Sequence, residues 1–133
     1  MTKHALVAML LVLVLGSATV FATNYGYYFN LEIDNLTADS GVVTKNTVAP
    51  NGAYLQQTGS SPGTYTVTYN VMSTSTISVT NPLTISGTNY AENYITYKGG
   101  YAESYLHVSF LRARYNGQSI HTVSGVWNPN GKR

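Results

Sequence analysis

Tyr90, Glu92 and Tyr94, then Tyr101, Glu103 and Tyr105, with His107 after them, are the residues whose types and spacing point to chemistry. They belong to a pattern, Y-A-E-[N/S]-Y-[I/L], that occurs at Tyr90–Ile95 and again eleven residues later at Tyr101–Leu106. In each copy Tyr, Glu and Tyr take alternate positions, and period-two alternation gives a strand two unlike faces. Gly99-Gly100 lies between the copies. Such a pair is a hairpin signal, because the favoured two-residue turn needs positive φ at both central positions. The spacing therefore predicts a hairpin over Tyr90–Val108, with Lys98 opposite Tyr101, Tyr94 opposite Tyr105 and Glu92 opposite His107. One face would carry Ala91, Ile95, Tyr97, Ala102, Leu106 and Val108 and turn inward. The other would present Tyr90, Glu92, Tyr94, Tyr101, Glu103, Tyr105 and His107.

Each chemistry that these residue types could serve has its own requirements. A catalytic zinc site needs three protein ligands. His107 and His121 are the histidines beyond His4, and with Glu92 they make a poor set, since His121 falls on another strand pairing. Glu92 opposite His107 reads better as an exposed cross-strand pair, worth roughly 0.2–1 kcal/mol. Glycoside hydrolysis needs two carboxyl groups flanking a cleft, one with a raised pKa. Glu32 and Asp34 alternate with apolar positions as a solvated face does, whereas Glu92 and Glu103 stand among tyrosines, which suits holding a sugar. The chain has no cysteine, no G-x-S-x-G elbow and no glycine-rich phosphate loop, so nucleophilic and phosphoryl chemistry lack support. The expectation is a non-enzyme without cofactor or metal. Tyrosine is the informative residue: large, stiff and amphipathic, it is enriched at interfaces. The tyrosine face is the expected contact for a glycan or protein, unless a second sheet covers it.

The elements that must position these residues are strands. Tyr27, Phe29, Leu31 and Ile33 alternate with polar neighbours, and Tyr65, Val67, Tyr69 and Val71 alternate with threonines. Shorter strands are predicted over Val42–Lys45, Ala53–Gln57, Thr74–Thr80 and Leu83–Ile85, separated by turns such as Ser60-Ser61-Pro62-Gly63. After the hairpin the alternation changes phase between Phe110 and Leu111, which a bulge there would reconcile. Asn116-Gly117 is a strong hairpin turn, returning the chain through Ser119–Trp127 and leaving Asn128–Arg133 as a tail. Tyr90, Tyr94, Tyr97, Tyr101 and Tyr105 would also form a helical stripe, but each of the two glycines inside it costs a helix about 1 kcal/mol. Regular short strands with turn signals predict an all-β fold, an antiparallel β-sandwich of jelly-roll or Ig-like meander type.

Met1–Ala22 has a basic start at Lys3, an apolar run over Ala5–Leu15 and small residues near Ala22, the form of a cleaved secretory signal peptide. Residues 23–133 then make one domain, secreted, touching a membrane only through the signal peptide before cleavage. Of the 7 Lys and Arg, Lys3 lies in the leader, leaving six against 5 Asp and Glu. That balance argues against nucleic acid as a partner. Asn35-Leu36-Thr37 fits the glycosylation acceptor pattern, an incidental match in so Asn- and Thr-rich a chain.

Phe110-Leu111-Arg112-Ala113-Arg114-Tyr115-Asn116, followed by His121-Thr122-Val123-Ser124-Gly125-Val126-Trp127-Asn128, resembles the closing hairpin of small secreted β proteins of Gram-positive bacteria. Those proteins have a signal peptide, a tyrosine- and threonine-rich domain and a late V-S-G-x-W element. Tyr54-Leu55-Gln56-Gln57-Thr58 and Tyr65-Thr66-Val67 are similar to their middle part. The resemblance covers about half of the chain beyond the leader. It implies a bacteriocin-like antibacterial or immunity-related role and brings no catalytic residues. After Trp127 this chain departs from the acidic ending that the resemblance implies. The expected function is binding at the bacterial cell envelope, to a glycan or a protein. The alternative is a surface-layer or filament subunit whose partners are copies of itself, since low charge and exposed edges suit strand addition.

Overall fold

The computed structural model describes residues 21–22, 25–34, 36–61, 65–115, 117 and 120–132. Strands in chain order are β1 (Phe21–Ala22), β2 (Tyr27–Ile33), β3 (Thr37–Asp39), β4 (Val43–Lys45), β5 (Ala53–Ser61), β6 (Thr66–Met72), β7 (Leu83–Ser86), β8 (Glu92–Ile95), β9 (Leu106–Arg114) and β10 (His121–Asn128). No helix occurs among the described residues. Alternation becomes burial as expected in β2, where Phe29, Leu31 and Ile33 are buried and Tyr28, Asn30 and Glu32 exposed.

Two antiparallel sheets form. The first runs β1-β2-β10-β5-β8, and the second β3-β9-β6-β7, with β4 also paired to β9. Their inner faces meet in one apolar cluster that includes Phe29, Leu31, Leu55, Val67, Tyr69, Leu111, Val123 and Trp127. The Phe29 and Tyr69 rings meet edge-on across the sheets at 6.0 Å. The Tyr69 hydroxyl donates to Gln57 Oε1 at 2.7 Å, and the Gln57 amide donates on to the carbonyls of Ser86 and Gly87. A buried amide is tolerable when its hydrogen bonds are made in this way. The molecule is all-β and sandwich-like.

The predicted Tyr90–Val108 hairpin does not form. Its first half, β8, pairs with β5, placing Tyr54 opposite Tyr94 and Gln56 opposite Glu92. A turn does close from Tyr101 N–H to Lys98 O at 3.1 Å, with positive φ at Gly99. The chain then keeps turning through Glu103 and Ser104, whose amides donate to Gly100 O and Tyr101 O. A buried lysine explains this. Lys45, with no accessible surface, donates from Nζ to Thr47 O at 2.8 Å, Ala102 O at 2.8 Å and Ser104 O at 2.7 Å. Its ammonium must find acceptors once out of water, and it takes two carbonyls from the stretch predicted as the returning strand. Beyond it, β9 pairs with β3, β4 and β6 in the second sheet.

Other expectations are corrected by the same long-range pairing. β9 and β10 lie in different sheets, so the segment through Asn116-Gly117 is a crossing and not a hairpin; Asn116 lies outside the described residues. Thr74–Thr80 is mostly a loop, in which Thr74 Oγ1 accepts from the amide of Ile77 at 3.1 Å. The irregularity expected between Phe110 and Leu111 lies earlier, where Val43 faces Ser109 but Lys45 faces Leu106. The carboxyl-terminal residues are not a free tail: Asn128, Pro129 and Gly131 are buried, and Asn130 Oδ1 accepts from the amides of Asn46 and Thr47 at 2.7 and 3.0 Å. Residues 1–20, most of the expected signal peptide, and Asn35 of the expected glycosylation pattern lie outside the described residues.

Candidate functional site

The outer face of the first sheet is where the aromatic and charged residues gather. Strand parity sends Tyr54 and Gln56 of β5 and Glu92 and Tyr94 of β8 to the side away from the core, and the β5–β8 register sets them as facing pairs. Tyr25, ahead of β2, and Lys132, beyond β10, close over them. The Tyr54 ring lies 5.9 Å from Tyr94 and 6.4 Å from Tyr25, and is itself fully buried by these neighbours. Its hydroxyl donates to Gln56 Oε1 at 2.9 Å and reaches Glu92 Oε1 at 3.5 Å. Burial and then the Glu92 carboxylate push the Tyr54 pKa up.

Lys132 Nζ donates to both Glu92 oxygens, at 2.7 and 3.0 Å, and stands 5.4 Å from the centre of the Tyr25 ring. The hydrogen bond to Glu92 raises its pKa. Beside it opens a groove of about 130 Å³ whose lining includes Pro50, Asn51, Tyr94, Asn130 and Lys132. Tyr25 is 48% exposed and Tyr94 half-buried, so ring surface, a carboxylate, an ammonium and an amide are offered side by side. Such a surface can stack on a sugar ring while hydrogen-bonding its hydroxyls.

The sequence-predicted site is thus divided. Glu92 and Tyr94 belong to this face, and exposed Tyr90 adjoins it through the bond from Gln56 Nε2 to Tyr90 O at 3.1 Å. Tyr105, just ahead of β9, and His107, within it, are exposed, their rings 4.6 Å apart. Tyr101 is half-buried against the core, and Glu103 is exposed in the turn beside Lys45. The predicted Glu92–His107 pair is not formed, because Glu92 is taken by Lys132 and the two strands lie in different sheets. Strand parity within the predicted Ala53–Gln57 was a signal that could have put Tyr54 and Gln56 on one face; nothing local links that face to Tyr25 or Lys132.

A second cluster escaped sequence reasoning. Between Ser124 and Gly125 the β10–β5 register shifts, so that Thr58 is an extra residue in β5. The bulge reverses the parity of the residues beyond it and brings Ser60 to His121, with Ser60 Oγ 2.7 Å from His121 Nε2. His121 is buried, its ring 4.4 Å from that of Tyr115 and tilted by 43°, and Nδ1 has no hydrogen-bonding partner among the described residues. Burial pushes its pKa down. A serine–histidine pair becomes a nucleophile when a third group orients the base. Among the described residues no such group stands at Nδ1.

No family model, curated protein or solved structure matches this chain.

Proposed function

We propose that this is a secreted, non-enzymatic protein that binds a glycan of the bacterial cell envelope, with the outer face of the first sheet as its contact, in a bacteriocin-like antibacterial setting. The reading rests on the Tyr25–Tyr54–Tyr94 cluster with Glu92 and Lys132 at its rim. The buried Tyr54 ring braces the two more exposed ones, so stacking surface is held in place before a ligand arrives and less ordering entropy is lost on binding. The strand order β2-β10-β5-β8 over β3-β9-β6-β7 supports reading the fold as a jelly roll and not an Ig-like meander. That architecture includes lectin domains, an analogy of fold only.

The test is co-sedimentation of the chain from Thr23 onward with purified cell-wall material. Tyr94→Ala should reduce the bound fraction severalfold, and Tyr105→Ala, just ahead of β9 of the other sheet, should leave it unchanged. Equal binding by wild type and Tyr94→Ala would discard this face as the contact.

The alternative, self-association into a filament or layer, is favoured by one observation. β1 covers only Tyr27 and Tyr28 of β2, and cleavage after Ala22 would remove β1 and open the whole edge of β2. Exposed edges of this length invite strand addition. Sedimentation of the chain alone, rising with concentration, is the outcome that reading requires.

A further inference from the structure

The outer face of the second sheet holds a cleft of about 290 Å³, near the lower end of the range that encloses small ligands. It is lined by Tyr65, Thr66, Thr68, Arg114, Tyr115 and Gly117. Register explains the set. Arg114 of β9 faces Thr68 of β6 on one side and Thr37 of β3 on the other, so its side chain rises between hydroxyl-bearing neighbours. The Tyr65 and Tyr115 rings meet edge-on at 5.4 Å and form an aromatic wall. Tyr115 is braced from behind by buried His121, while Tyr65 remains 49% exposed. A side chain at Gly117 would run into the Tyr115 ring, so the chain there lies close against the wall. The cleft's described lining contains no carboxylate. Arg112, two residues from Arg114, already forms a bidentate pair with Asp39 at 2.7 and 2.9 Å, which also neutralises that acid.

A guanidinium has five N–H donors in a planar fork that matches a carboxylate, more than one neighbour can use. With hydroxyls beside it and an aromatic wall, the fork fits a pyranose ring that bears a carboxylate. We propose that this cleft binds an acidic sugar residue, the carboxylate on Arg114 and the ring against Tyr65. The inference deepens the glycan reading by naming a charged sugar. It uses the opposite sheet, so the two fail separately: the wall assay responds to Tyr94, this one to Arg114.

The experiment is titration of the isotope-labelled protein with sodium glucuronate, glucose or sodium sulfate, followed by amide chemical shifts. Glucuronate should give saturable shifts at Thr66, Thr68 and Arg114, with glucose at least tenfold weaker, roughly the loss expected for one charge-assisted contact. Arg114→Gln should weaken glucuronate by a similar factor, Arg114→Lys by less, and Tyr65→Ala severalfold, while Tyr94→Ala leaves it unchanged. Arg114 is exposed, and a dispersed spectrum shows that each variant is folded. Glucuronate binding no tighter than glucose, normal binding by Arg114→Gln, or sulfate equal to glucuronate with Tyr65 dispensable would each overturn the proposal.

Discussion

In Tyr90–Ile95 the latter part of the repeated motif is a strand, laid antiparallel on β5 with Ile95 buried and Glu92 exposed. In Tyr101–Leu106, one turn further along, the same order of residue types coils, and only Leu106 joins a strand. The few differences lean the right way. Asn93 Nδ2 bonds Ala91 O, two residues back, whereas the Ser104 hydroxyl bonds Gly100 O at 2.7 Å, closing a turn. These local bonds are small. The copies are separated by the partner each meets: an open edge of β5 for the first, the buried Lys45 ammonium for the second. A motif of half-apolar alternation can serve either partner, and hydrogen-bond demand decides between them.

Trp127→Ala should have the largest effect, a loss of about 3–5 kcal/mol for a fully buried ring. Since the ring belongs to the shared core, exchange protection should fall in both copies together, read by hydrogen exchange and urea unfolding. A midpoint that does not move would remove Trp127 from the core.

Lys45→Met should come next, at about 3 kcal/mol, because three buried or partly buried carbonyls lose their donor. Here the copies should part: the amides of Glu103 and Ser104 should exchange faster while those of β8 change less. Equal acceleration in both would break the comparison and make Lys45 a general core element.

Acid offers a perturbation that should not discriminate. The folded-state pKa of His121 lies below its ordinary 6.5, since burial opposes its charge. Its contribution is therefore complete above about pH 6.5 and declines below it, as the unfolded chain takes up a proton that the folded chain resists. Urea midpoints should fall on acidification through that range, and His121→Phe should flatten this part of the profile. An unchanged slope in the variant would assign the pH dependence elsewhere. Least of all, Glu92→Gln should leave the midpoint unmoved, since its bond to Lys132 is at the surface; a clear shift would mean that the ion pair holds the first copy in place.

Much of the strand pattern was legible. β2, β6 and β7 lie close to where alternation put them, because side-chain parity depends only on neighbours in sequence. The candidate face was legible in part: Glu92 and Tyr94 were seen, but Tyr54 and Lys132 reach Glu92 only across 38 and 40 residues, and Tyr25 joins only through its ring contacts with Tyr54 and Lys132. Reading Gly99-Gly100 as a hairpin used correct turn chemistry and missed the acceptor-seeking Lys45, 57 and 59 residues from its carbonyls at Ala102 and Ser104.

By itself the sequence determined that the chain is all-β and which face of most strands turns inward, and it singled out tyrosine as the distinctive residue type of the surface. Only the tertiary structure decided which strands are neighbours, where the bulge at Thr58 falls, and which tyrosines share a face. The physical reason is that alternation specifies a strand's two faces but leaves both of its edges unassigned. Edges are satisfied by whichever distant N–H, C=O or buried charge the packed sheets bring alongside.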